Sequence, residues 1–424
     1  MGAWGQGAMA SVVFRCAPRL AGSFYPNEGP DIEYYHERYG ATRAARLPPL
    51  LWLHTFAFLT PERFPAAVCA LLAELAEDED LWRRVCVRGH SQPPPGPLLK
   101  YRASWQAAAM GNTGANPVAA GKALEAHLAF AELEPLGLPE VRTVSWAELD
   151  SESFFRDVDG PGRPVLVKNS LQVLGDSKLW SINALKKFHL SRAFRCVCQE
   201  PAAAQHRHVW MHLADYLEYA EGHDDLEPLY LFDAAVPEEL QTGLQPPAFL
   251  GKDYVDAIVG TRFLHEQAWL AIGAAGSGTR MHVDPVETSA WNIVSEGRKR
   301  WVLVPPGVHG GPPGLDWRED GALLAPGAAL WFRRAADELR LRRALRLAGA
   351  LEVEQGPGDL IFVPHGWWHT VLNLEMTVAY TENCVTDANL EAVVATLMRL
   401  GDGASADRLL QRKEDESKLR GLAE

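Results

Sequence analysis

The sequence predicts an α+β protein, a mainly β body with helical segments before and after it, and three observations carry that reading. From residue 141 to 387 short apolar runs alternate with turn residues, among them RPVLVKN, PLYLFD, KRWVLVPP, GDLIFVPHG and MTVAYTEN, as in a β sandwich or barrel. Ahead of them, Val68, Leu71, Leu72, Leu75, Leu81, Trp82 and Val85 recur at helical spacing. Beyond Asp387 the run LEAVVATLMRL returns to the helical period. The expected organisation is an N-terminal segment over 1–44, a small helical module over 45–110, a linker helix within 111–140, the β body over 141–387 and a helical tail over 388–424.

Composition narrows the function classes. With 424 residues, 47% hydrophobic and 22% charged, the chain has ample material for a buried core. A formal net charge of −13 argues against nucleic acid as the main partner. No stretch approaches 18 uninterrupted apolar residues, so no membrane span is expected. The six cysteines are scattered, and the one close pair, Cys196 and Cys198, lacks the second pair that a zinc site needs. Reduced thiols and a nuclear or cytoplasmic location are the expectation. Residues 1–27 hold Arg15 and Arg19 and no acid, which leaves organelle targeting open.

In the helical module, Thr60-Pro61 reads as a helix start. Leu47-Pro48, FAFL at 56–59, Pro61, Val68-Cys69 and LWRR at 81–84 resemble the F-box. That resemblance implies an adaptor of a ubiquitin ligase as a partner for residues 45–90, with the β body then serving as a substrate-recognition unit.

The chemistry lies in the β body. His282-Val283-Asp284 places a His and a carboxylate at positions i and i+2, which share a face in a strand. His369 opens another strand after GDLIFVPHGWW. Two His and one carboxylate leave adjacent coordination positions open, the donor set of non-haem Fe(II) oxygenases. Such an enzyme using 2-oxoglutarate also needs a cation and a hydroxyl for the distal carboxylate. Lys299, on the same strand face as Trp301 and opposite Arg300, and Thr381 on the last strand are the candidates. A Lys turned inward asks for an anionic partner. Trp367 and Trp368 are expected to pack as core on opposite faces.

The stretches TRMHVDPVETSAWNIVSEGRKRWVLVPP (279–306) and GDLIFVPHGWWHTVLNLEMTVAYTEN (358–383) resemble the JmjC domain. Within it they are most similar to the phosphatidylserine-receptor type, described as arginine demethylases and lysyl hydroxylases. The resemblance implies a double-stranded β-helix, a cupin-like jelly roll. It also implies Fe(II) on His282, Asp284 and His369, with O2 as oxidant and 2-oxoglutarate held by Asn292, Lys299 and Thr381, with Thr279 and Tyr230 as further contacts. The implied reaction is hydroxylation of a protein side chain, at lysine or with demethylation of N-methyl-arginine or N-methyl-lysine; a tRNA base or a small molecule is a third substrate class.

Departures from that pattern bear on the substrate. Arg280, Glu287 and His365 stand where the relatives commonly have glycine. His365 is expected to face solvent or a neighbouring side chain rather than to act as a fourth ligand. The Arg-rich segment 333–346 reads as an insertion between strands that could form a lid. Between Arg207 and Lys252 there is no Lys or Arg but nine acidic residues, expected to form a solvated acidic face suited to a basic protein substrate.

Overall fold

Continuous apolar runs such as 165–167 and Leu360–Val363 are buried on both strand faces, which calls for a sheet covered on each side. The computed structural model describes residues 130–198, 208–223, 225–317 and 323–423. The F-box-like module at 45–110, the segment before it and most of the linker at 111–140 lie outside the described residues.

In chain order the strands and longer helices are β1 (Arg142–Ser145), β2 (Val165–Lys168), α1 (Ile182–His189), β3 (Ala193–Val197), β4 (His208–His212), α2 (Leu213–Gly222) and β5 (Tyr230–Asp233). Then come β6 (Ala268–Gly273), β7 (Gly278–His282), β8 (Ser289–Glu296), β9 (Lys299–Val304), the short pair β10 (Asp316–Trp317) and β11 (Leu323–Leu324), α3 (Ala328–Asp337) and α4 (Leu339–Leu347). The remainder is β12 (Leu351–Gln355), β13 (Leu360–Val363), β14 (Trp368–Asn373), β15 (Thr377–Cys384), α5 (Leu390–Arg399) and α6 (Gly403–Ala423).

The strands form a nine-stranded sheet, β1-β2-β13-β8-β15-β6-β5-β3-β4, and a four-stranded sheet, β12-β9-β14-β7. From β6 onward the chain passes from one sheet to the other at nearly every turn, so β13-β8-β15-β6 faces β12-β9-β14-β7 as a double-stranded β-helix. One crossing is at Gly297, where φ is +78° and an added Cβ would sit 2.1 Å from the Met376 carbonyl oxygen. Only glycine tolerates both conditions. Between the sheets Trp301, Leu303, Val353, Ile361, Val363, Trp367 and Val371 pack together. Behind the larger sheet Trp180, Phe154, Phe194, Trp291 and Phe362 form the main core.

Two sequence expectations are corrected here. The Arg-rich segment is not a lid. α3 and α4 lay Trp331, Phe332, Leu341 and Leu345 against Met281, Val302, Val304 and Leu372, on the outer face of the smaller sheet. Of their arginines, Arg333 stacks on Phe130, 4.6 Å from the ring centroid, and Arg346 donates to the Gly137 carbonyl at 3.0 Å. Nor is the acidic stretch one solvated face. Asp215, Asp225, Glu227 and Asp233 are buried, and backbone and tyrosyl donors hold the last three. Glu227 accepts from Leu330 N at the start of α3 at 2.7 Å, Asp233 from Arg195 N at 2.7 Å, and Asp225 from the Tyr219 hydroxyl at 2.6 Å.

The tail folds back on the body. α5 and α6 pack Leu390, Val393, Leu397 and Leu409 against Tyr254, Ile258, Leu264 and Val286. Among the described residues, no helix is long and apolar enough to cross a membrane. Trp331→Ala tests the assignment of α3 as core. It should cost about 3–5 kcal/mol in denaturant unfolding; an unchanged midpoint would mean that the helix is a detachable cover.

Candidate active site

β7 and β14 are neighbours, and their register sets His282 directly opposite His369. A bulge lies between that pair and the next, Val371 opposite Thr279, giving β7 one extra residue. The bulge turns His282 and Thr279 to the same interior side, while Met281 enters the outer core. Asp284 departs from the strand placement expected for it. β7 ends at His282, and Asp284 stands, still extended, at the head of the short turn Pro285–Glu287. Pro285 has no N–H with which to continue the ladder.

The three side chains converge nevertheless. Nε2 of His282 and of His369 each lie 3.9 Å from a carboxylate oxygen of Asp284, and the potential ligand atoms lie within 4.8 Å of one another. Among the described residues no other group of three such donors is this close. Nδ1 of His282 faces the Arg280 carbonyl at 2.8 Å, and Nδ1 of His369 faces that of Trp367 at 3.1 Å. A carbonyl oxygen only accepts, so Nδ1 carries the proton on both rings and Nε2 presents its lone pair. Burial, and next the adjacent His369, push the His282 imidazole down to about 4, although 39% of its side chain still faces the cavity. The His282 imidazole is thus prepared as a neutral ligand. The donor set, two imidazole nitrogens and one carboxylate at an open cavity, fits Fe(II).

Those residues line a cavity of about 420 Å³. Tyr230, Thr279, Asn292, Lys299 and Thr381 line it too, so all eight residues singled out in the sequence meet in one place. Lys299 begins β9 and is 1% exposed. Its Nζ donates to the Tyr230 hydroxyl at 2.9 Å, and among the described residues no carboxylate pairs with it. Burial alone pushes the ammonium from 10.5 down to about 7. Thr279 Oγ1 and Asn292 Oδ1 are buried with no hydrogen-bond partner among the described residues. Buried polar atoms rarely stay unpaired, so a cation and two uncommitted polar groups around one space mark the place of an anionic ligand. Thr381 is less free than expected: its hydroxyl donates to the Trp291 carbonyl at 3.0 Å and must turn to serve a carboxylate.

Residues beyond the sequence candidates also shape the site. Trp301 stacks on His369, with ring centroids 6.0 Å apart and planes 30° apart. Gln355 accepts from the Trp301 indole at 2.8 Å and donates to the Asn292 carbonyl at 2.9 Å, tying the two sheets together. Asn383 shares the inner face of β15 with Thr381, which period-two alternation could have indicated. At the mouth, Phe232 stacks on Trp269 at 5.3 Å, and Glu266 is clamped by Arg195 at 2.6 Å. His365 is not among the converging donors; its Nδ1 lies 3.2 Å from Glu287 Oε2.

Lys299 supplies a test that needs no substrate. Between pH 7 and 10.5 the unfolded chain holds a proton on this lysine that the folded chain does not, so stability rises with pH across that window. The burial corresponds to a penalty of about 5 kcal/mol at pH 7. Metal-free Lys299→Met should therefore be the more stable protein at pH 7, by about 3–5 kcal/mol in denaturant unfolding, with the gap narrowing by pH 10. A variant less stable than the parent at pH 7 would show that the lysine has a stabilising partner.

Known proteins resemble this chain over the same region. A family model described as "Cupin-like domain" matches residues 151–383. The chain is 32% identical over 273 residues to "Arginine-specific demethylase JMJ22" of Arabidopsis thaliana, covering 63% of this chain and 51% of that protein. It is 31% identical over 261 residues to "Bifunctional arginine demethylase and lysyl-hydroxylase psr-1" of Caenorhabditis elegans, covering 60% and 63%. Against "2-oxoglutarate and iron-dependent oxygenase JMJD4" of Homo sapiens it is 28% identical over 145 residues, 34% and 33%. The matches thus span about half to just under two thirds of the first two relatives. With all eight cavity residues inside the matched segment and a double-stranded β-helix around them, the chain belongs to the cupin-like domain family.

Proposed function

We propose that this protein is an Fe(II)- and 2-oxoglutarate-dependent oxygenase that hydroxylates a protein side chain. The observation that carries the reading is one cavity with a His-Asp-His donor set on one wall and the buried, carboxylate-free Lys299 on another. The names of the similar proteins, an arginine demethylase, a lysyl hydroxylase and an iron-dependent oxygenase, support it.

Fe(II) bound by His282, Asp284 and His369 would supply the activation of O2, with 2-oxoglutarate converted to succinate and CO2 as the substrate C–H becomes C–OH. The protein's own residues do the rest. Lys299 and Tyr230 hold the distal carboxylate of 2-oxoglutarate by charge and hydrogen bond, with Thr279 and Asn292 offering unpaired polar atoms beside it. Trp301 packs on His369 and keeps water from that ligand. The Nδ1 contacts to carbonyls prevent either imidazole from turning away from the metal.

Lysine and N-methyl-arginine are the side chains we propose as substrates. Hydroxylation of lysine gives hydroxylysine, whereas hydroxylation of an N-methyl group gives an N-hydroxymethyl that leaves as formaldehyde. The F-box-like segment and its ubiquitin-ligase adaptor lie outside the residues this reading uses. Fe(II)-dependent formation of succinate in the presence of a mixture of basic proteins containing lysine and N-methyl-arginine should be detectable, and His282→Ala should lower it at least about 100-fold. Mass spectrometry of the same mixture should show +16 Da on lysine or loss of 14 Da from methylated arginine. Succinate formation that survives His282→Ala would contradict the proposal.

A further inference from the structure

We infer that Asn389, on the C-terminal tail, is a positioning residue for the metal ligand Asp284; this rests on the metal reading above. Asp284 heads a turn with two consecutive non-glycine residues in the left-handed region, Val286 at φ +57° and Glu287 at φ +60°. A β-branched residue is especially disfavoured there, and such a turn persists only where its surroundings hold it. Glycine at 287 would carry no such penalty.

Side chains from several elements tether this turn. Thr288 Oγ1 donates to the Pro285 carbonyl at 2.8 Å and accepts from Asn383 Nδ2 at 2.7 Å. Glu287 Oε2 lies 3.2 Å from His365 Nδ1. The other two holds come from the tail. Asn389 Nδ2 donates to the Glu287 carbonyl at 2.9 Å, and Val286 inserts its side chain among Leu390, Val393 and Leu397 of α5. Asn389 is itself fully buried and fixed, its Oδ1 accepting from Thr386 N at 2.7 Å and its Nδ2 also reaching the Cys384 carbonyl at 3.3 Å. One amide thus joins the end of β15, the start of α5 and the strained turn that carries Asp284. Asn389 and α5 lie beyond the segment matched by the family. The tail is therefore part of the metal site rather than an appendage.

The test is a Mn(II) titration of the full chain, with unbound Mn(II) read by electron paramagnetic resonance. Asn389→Ala should weaken Mn(II) binding about tenfold or more, the usual effect of losing a group that orients a ligand. In a Glu287→Gly background the same substitution should cost several-fold less, because the glycine turn needs less bracing. A merely structural asparagine would lower the melting temperature without moving Mn(II) affinity, and that result overturns the inference. So does a full loss of affinity in both backgrounds. If Asn389→Ala does not fold, hydrogen exchange on the parent protein reads the same coupling: Mn(II) should slow exchange over 389–397, and unchanged exchange there overturns it. A parent protein that binds no Mn(II) fails the metal reading itself, a different outcome from equal binding by parent and variant.

Discussion

An ammonium enclosed by protein, with a single tyrosyl hydroxyl for company, is the constraint around which this barrel is arranged. Lys299 is 1% exposed and titrates near 7, so its burial opposes folding. The fold tolerates it because large apolar clusters pack between the sheets and on their outer faces. Around the lysine the inner residues are small, with Ala271, Ala379 and Val294 packed beside Tyr230. The destabilising group and the empty volume beside it are one feature, and a carboxylate ligand resolves both.

Strand crossing is what brings this charge within reach of the metal donors. Lys299 follows the Gly297 crossing, so it starts the strand at the closed end of the cavity, whereas His282 and Asp284 lie where β7 leaves the smaller sheet. His369 sits beside both, opposite His282 and one strand from Trp301. Each ligand ring is locked by a carbonyl only two residues away, Arg280 for His282 and Trp367 for His369. Local backbone thereby fixes the tautomers, and long-range contacts fix the turn that carries the carboxylate.

Period-two alternation made Lys299 and Trp301 legible as neighbours on one face, and the JmjC-like motifs named the residues around them. Alternation did not reach Asp284, because β7 ends at His282 and Asp284 already heads the turn that Pro285 opens. Charge counting misread residues 208–251, since it sees carboxylates but not the backbone donors, such as Leu330 N and Arg195 N, that draw them inside. The density of arginines in 333–346 suggested an exposed insertion and hid the apolar face, Leu341 and Leu345, that packs on the smaller sheet. Asn389 carried no local signal at all. Its partner carbonyl is on Glu287, 102 residues earlier, and only the folded chain brings them together.

The central claim is that the buried lysine awaits a carboxylate in front of a divalent metal. Calorimetric titration of 2-oxoglutarate into the Mn(II)-loaded protein under argon, repeated at pH 7.5 in buffers of different ionisation enthalpy, tests it directly. Carboxylate binding returns Lys299 to its charged form, so the account predicts one-to-one binding with uptake of a substantial fraction of a proton. Lys299→Met should abolish the uptake and most of the affinity. Binding of equal strength in the variant, or binding without proton uptake in the parent, would contradict it.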